Sequence, residues 1–169
     1  VCVTSGTALL NLCPSVAEAF YQHLPLVVIS ADRPAQWIDQ LDGQTLPQVG
    51  VLERFVSKKV NLPEPHDEES RWYCNRLINE AMIACVKGSC GPVHINVPIT
   101  EPLYQFNTNT LPIERKITFL SGLSDFNAAS VQCFQPIVTA LKHAQKPLII
   151  IGQMKSSVVI STHVERLIS

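Results

Sequence analysis

Pro25-Leu26-Val27-Val28-Ile29-Ser30-Ala31-Asp32-Arg33-Pro34 decides the fold. Residues 25–30 form a continuous apolar run of strand length, the pattern of a strand covered on both faces in a parallel sheet. Polar residues follow at its C-terminal end, where parallel sheets bind ligands. Upstream, Val1-Cys2-Val3-Thr4 reads as a strand end running into a Thr4-Ser5-Gly6-Thr7 turn. Residues 8–22 then read as one helix, with Leu9, Leu12, Cys13, Val16, Ala17 and Phe20 at helical spacing, Pro14 near its start, and Ser5 or Thr7 as cap.

Working downstream, residues 35–50 are mixed and polar, with Asp42-Gly43 as a turn. A short helix is expected over 51–56 and a short strand over 58–62. Pro63-Glu64-Pro65-His66-Asp67 breaks the chain. Residues 68–87 are the clearest helix: Glu68 and Glu69 favour its start, Lys87 its end, and Gly88 stops it. Its expected buried stripe is Trp72, Cys74, Leu77, Ile78, Ala81, Met82 and Cys85. Residues 91–98 form another strand. The alternation predicts an α/β fold: part of a doubly wound parallel sheet over residues 1–104, a linker over 105–127, and the start of a second α/β domain over 128–169. In that second unit 128–144 and 157–168 read as helices and 147–151 as a strand. A chain that opens inside a core strand, without Met, reads as a piece of a longer protein.

The chain has 169 residues, 46% hydrophobic and 16% charged, with a net charge of −1. Disorder is excluded by the apolar content. The charge balance argues against nucleic acid as partner, because phosphate neutralisation needs a basic surplus. No apolar run reaches the ~18 residues of a membrane span. The six cysteines contain no C-x-x-C pair and read as reduced thiols packed as small hydrophobes. Neither a P-loop nor a dinucleotide-binding glycine motif is present.

Two strand-to-turn junctions carry the candidate chemistry. Ser5, Gly6 and Thr7 offer hydroxyls, close backbone approach and helix N-terminal amides, which suit a polar heterocycle or an anion. A capped turn explains the same residues. Arg33 can grip a carboxylate with parallel hydrogen bonds, or pair with Asp32 or another nearby acid. Position alone leaves both roles open. His94, in an apolar strand, reads as a satisfied core histidine. His66 lies in a polar loop with no obvious partner. Trp37 can line a site or pack on the sheet, and packing is the expectation. Ser5 lacks a hydrolase-elbow setting.

Val3-Thr4-Ser5-Gly6-Thr7-Ala8 with Asn11 resembles the T-S-G-x-x-x-x-N segment of the pyrimidine-binding domain of thiamine diphosphate enzymes. Gly91-Pro92-Val93-His94-Ile95-Asn96-Val97-Pro98 resembles the strand that closes that domain. With Ser30-Ala31-Asp32-Arg33-Pro34 and Glu101-Pro102-Leu103-Tyr104, the chain is similar to the menaquinone-pathway branch of this family rather than to acetolactate synthases. The resemblance implies thiamine diphosphate and Mg²⁺ as cofactors. It implies decarboxylation of 2-oxoglutarate and addition of the succinyl unit to the alkene of isochorismate. It places Ser5, Gly6 and Thr7 near the aminopyrimidine, and Arg33 and Gln44 at the substrates. Many relatives carry Asn-Gln where Gly43-Gln44 stands here. The activating glutamate would lie upstream of residue 1 and the metal motif beyond Ser169. No catalytic or metal residue is therefore assigned within the chain, and alone it would be inactive. A cytoplasmic homodimer or homotetramer is implied. The rival readings are another thiamine diphosphate carboligase and a non-catalytic α/β module.

Overall fold

The computed structural model describes residues 1–101, 108–117, 128–148 and 150. It divides into two compact units, Val1–Phe119 and Leu120–Ser169. In the first, β1 (Cys2–Val3), β2 (Val27–Asp32), β3 (Lys58–Asn61) and β4 (Val93–Pro98) form one sheet in the order β1-β2-β4-β3. All pairings are parallel, with Val28 opposite His94, Ser30 opposite Asn96 and Asn61 opposite Asn96. The expected α/β class with a parallel sheet is present.

Side chains alternate across a strand, so the register sorts the two faces. On one, Val60, Val93 and Ile95 pack with Ala81 and Cys85 of α3 (Glu68–Val86). On the other, Val28 packs with Leu9, Val16 and Leu52. Leu9 comes from α1 (Thr7–Leu10) and Val16 from α2 (Cys13–Tyr21).

The structure corrects several local expectations. Residues 8–22 are not one helix. They divide between Leu10 and Cys13, and Pro14 falls in the first turn of α2. Proline lacks the N–H that would bond back to Leu10, so a new helix starts where that absence costs nothing. Neither Ser5 nor Thr7 caps α1; Gly6 holds the N-cap position without a side-chain bond. β2 is fully covered on one face and only partly on the other: Val28, Ser30 and Asp32 are buried, whereas on the opposite face Val27 packs against the α3 side but Ile29 is 37% exposed.

α3 follows its end signals. Glu68 and Glu69 stand in the first turn, Asp67 and Ser70 form a reciprocal capping box, and Gly88 follows at φ 65°. Its buried stripe is narrower than expected. Cys74, Leu77, Ala81 and Cys85 face the sheet, while Trp72, Ile78 and Met82 are exposed. Only one side of the helix meets the sheet, and seven apolar residues span more arc than that contact covers.

In the segment read as a linker, Glu114 accepts bonds from Nε and Nη2 of Arg71 at 2.9 and 2.6 Å, and the Ile117 N–H donates to Asn79. In the second unit, α4 (Ala128–His143) occupies the expected helix. Pro147, Leu148 and Ile150 have no strand pairing, and both apolar side chains are exposed. The remainder of that strand and the helix expected over 157–168 lie outside the described residues. No described helix is long and apolar enough to cross a membrane.

Leu52 and Leu41 test this packing. Leu52 is fully buried and Leu41 fully exposed. Leu52→Ala is expected to cost about 2–5 kcal/mol in denaturant unfolding, through lost burial and the cavity left behind. Leu41→Ala should leave the midpoint unchanged.

Candidate functional site

The turns after β1 and β2 leave the same end of the sheet as neighbours, because the two strands pair in parallel with Val3 opposite Ser30. A connected set of buried polar groups lies beneath them. Its hub is the Asn96 side chain on β4. Asn96 Nδ2 donates to Asp32 Oδ2 at 2.7 Å and to Asn61 Oδ1 at 2.8 Å. Its Oδ1 accepts from Ser30 Oγ at 2.8 Å and from Gln48 Nε2 at 3.0 Å. The amide thereby makes all four of its hydrogen bonds.

The Asp32 carboxylate accepts, so it fixes which end of Asn96 faces it. That in turn orients Gln48. Gln48 Nε2 also donates to the Ala31 carbonyl at 2.9 Å, and Gln48 Oε1 accepts the Gly6 N–H at 2.6 Å. Ser30 spends its proton on Asn96, so its contact with His94 Nε2 at 2.8 Å has the imidazole donating. His94 is the satisfied core histidine that its apolar strand suggested. Burial pushes its pKa below the usual 6.5, against a smaller upward pull from Asp32.

Gly6 tops this array. Its φ of 86° with ψ −147° lies in a region open essentially to glycine. A Cβ there would stand 3.3 Å from the Gln44 backbone. Ser5 and Gly6 are buried and Thr7 is exposed. Neither the Ser5 nor the Thr7 hydroxyl bonds to another described residue.

Arg33 begins the second turn. Its backbone N–H, not its guanidinium, meets Asp32. The guanidinium pairs instead with Asp42: Nε and Nη2 donate to Oδ2 at 2.9 and 2.6 Å. Nη1 reaches Glu101 Oε1 at 3.4 Å. These contacts raise the Arg33 pKa and lower that of Asp42, whose carboxylate also takes the Gly43 N–H. A half-open cavity of about 380 Å³ adjoins Arg33, lined by Pro34, Trp37, Asp42, Ile99, Thr100 and Glu101. Trp37 is 50% exposed, contrary to the packing expected for it. It lies in a single helical turn, Ala35–Trp37, and lines that cavity. His66 has a partner after all, with Nε2 3.7 Å from a Glu64 carboxylate oxygen.

Gln44 is exposed at φ 57°, and it is the backbone, not the amide, that lies against Gly6. The Asp42–Thr45 turn thus touches both junctions, holding Arg33 through Asp42 and backing Gly6 through Gln44. Gln48 and Asp42 were missed by sequence reasoning. A glutamine set among Leu46, Val49 and Leu52 is a faint hint of a buried polar group, but its partners lie far away in sequence. Among the described residues, no group of three His, Cys, Asp or Glu could hold a metal ion. The described cysteines are free, as expected, and burial raises the Cys74 and Cys85 thiols.

A parallel sheet with a glycine turn and a basic turn at its carboxyl end matches the class to which the sequence pointed. Residues 1–52 match the family model described as "Thiamine pyrophosphate enzyme, N-terminal TPP binding domain". The resemblance to thiamine diphosphate enzymes is borne out. More narrowly, the chain is 56% identical over 154 residues to the 2-succinyl-5-enolpyruvyl-6-hydroxy-3-cyclohexene-1-carboxylate synthase of Bacteroides thetaiotaomicron, covering 91% of this chain and 27% of that protein. Proteins of the same name from Phocaeicola vulgatus and Flavobacterium johnsoniae are 54% and 41% identical, over 91% and 90% of this chain and 27% and 26% of their own lengths. The chain therefore spans about a quarter of the curated relatives it matches.

Two outcomes test the buried array. Gln48→Ala leaves the Gly6 N–H without its acceptor and should cost about 1–3 kcal/mol in unfolding free energy. His94 has a depressed folded-state pKa, so its stabilising contribution is present above 6.5 and is lost as pH falls from there through the folded value. Denaturant midpoints should drop across that window. In His94→Asn the drop should begin only at lower pH, where carboxylates titrate.

Proposed function

We propose that the chain is the part of a thiamine diphosphate-dependent transferase that forms one wall of its active site. The proposed reaction is that named by its relatives, in which 2-oxoglutarate is decarboxylated and its succinyl unit joined to isochorismate in menaquinone biosynthesis. The observation that carries this reading is Arg33: a guanidinium at the carboxyl end of β2, beside a cavity and one strand from the Gly6 turn. Both substrates are carboxylates, and arginine offers the planar fork that binds them.

The Gly6 turn fits the cofactor's aminopyrimidine, since glycine keeps the turn free of a side chain and two hydroxyls stand beside it. Ser5, Gly6 and Thr7 would hold that ring. When bound, thiamine diphosphate supplies the carbanion chemistry, and the protein supplies orientation. Arg33 binds a substrate carboxylate, and the Gln44 side chain is the second substrate contact. The activating glutamate and the groups that hold Mg²⁺ and the diphosphate belong to portions outside this chain, with residues 128–169 beginning the next domain. A cytoplasmic homodimer or homotetramer completes the proposal.

The test uses the full-length protein. Isochorismate with 2-oxoglutarate should be turned over, and pyruvate should not replace 2-oxoglutarate. Arg33→Ala should lower kcat/KM about 30- to 1000-fold, with thiamine diphosphate affinity unchanged. Arg33→Lys keeps the charge without the fork and should recover only part of the loss. A lowered melting temperature with intact kcat/KM would show that Arg33 only steadies the turn.

A further inference from the structure

A guanidinium has two edges that can each grip a carboxylate: a side edge, made of Nε–H and one Nη2–H, and an outer edge, made of one N–H from each Nη. In this chain the two edges are treated differently. Both donors of the side edge converge on a single oxygen, Asp42 Oδ2, at 2.9 and 2.6 Å. Asp42 is itself held, its Oδ1 taking the Gly43 N–H at 2.9 Å and its carbonyl accepting from Thr45 Oγ1 at 2.8 Å. Among the described residues the outer edge meets only Glu101, through a single 3.4 Å contact to a side chain that is 69% exposed. One acid is braced by its own turn, whereas the other reaches across from the chain beyond β4.

We propose that Asp42 is a positioning residue: it clamps the side edge of Arg33 so that the outer edge faces the 380 Å³ cavity, where a substrate carboxylate displaces Glu101. This rests on the reading of Arg33 as a substrate-binding residue. The arrangement has a physical logic. A free arginine side chain loses rotamer freedom on gripping a ligand, and a fixed acid on the unused edge removes that cost beforehand. The exposed Glu101 pair is weak enough to yield, since such pairs contribute little in water. Glu101 also keeps the cationic edge partnered while no anion is bound.

The experiment measures KM, kcat and melting temperature on the full-length, cofactor-loaded protein, for the substrate whose KM rises most in Arg33→Ala. Asp42→Ala should raise that KM about tenfold, with kcat and melting temperature nearly unchanged. Asp42→Asn keeps an oxygen that accepts from both donors, and should recover most of the loss. Glu101→Gln should lower the same KM about two- to fivefold by weakening the competitor. A fall in KM for Asp42→Ala would overturn the proposal, making Asp42 the competitor instead. A lowered melting temperature with unchanged KM would overturn it too, leaving Asp42 with a structural role. If Arg33→Ala itself leaves kcat/KM intact, the substrate-binding reading of Arg33 fails first, and that failure is separate from any result at Asp42.

Discussion

The saturated amide of Asn96 is the constraint on which the sheet end depends. Four partners from β2, β3 and the loop before β3 converge on one side chain, three of them placed by the strand register and Gln48 by its bonds to Gly6 and Ala31. A polar cluster of this kind is costly when incomplete, because an unpaired group in a low-dielectric interior forfeits its hydration with nothing in return. When complete, it admits few alternatives. Sliding β4 by one residue would turn Asn96 to the opposite face and leave Ser30, Gln48, Asp32 and Asn61 facing an apolar side chain. Apolar packing on the two faces supplies the bulk of the stability, and the Asn96 cluster supplies the register.

That register has a consequence at the surface. Gly6 is tied to the cluster by Gln48, and the Arg33 backbone is tied to it by Asp32. The two turns are therefore not independent loops on a scaffold. Their spacing is set by a chain of hydrogen bonds that runs through the interior. Residues that meet a ligand must be held by groups whose own positions are fixed. Here the holding groups are buried, the Ser5 and Thr7 hydroxyls bond to no other described residue, and the outer edge of Arg33 meets a single exposed carboxylate, that of Glu101. The polar interior and the exposed chemistry are two ends of one arrangement.

Much of this was legible in the sequence, and what was not has a common cause. The strands at 27–32 and 93–98 and the helix at 68–86 follow from local signals: apolar runs, caps and breakers. Gly6 and Arg33 stood out because they occupy strand ends. The split at Pro14 was within reach of local reasoning, since the missing N–H is a property of that residue alone. The exposed face of Ile29 was not, because coverage depends on how far α3 extends across the sheet. Gln48 and Asp42 escaped for the same reason. Gln48 bonds to Gly6 across 42 residues of sequence, and Asp42 meets Arg33 across nine in a loop with no period. Periodicity reports a residue's own element, whereas these residues matter through their partners.

The loop over residues 33–57 shows how such long-range placement is achieved without regular structure. Three non-glycine residues in it, Asp39, Leu41 and Gln44, adopt positive φ, a conformation that costs free energy and persists only where surroundings impose it. Two anchors impose it. Arg33 and Asp42 close the first half as a ring, and Gln48 and Leu52 pin the second half to the sheet, one by hydrogen bonds and the other by apolar burial. Between them Leu41 is left wholly in solvent and Trp37 half so. The strain and the two anchors fall in one segment, which touches Gly6 through the Gln44 backbone and Arg33 through Asp42. A loop serving only to connect β2 to β3 would need neither; a loop that fixes the Gly6 and Arg33 turns relative to one another needs both.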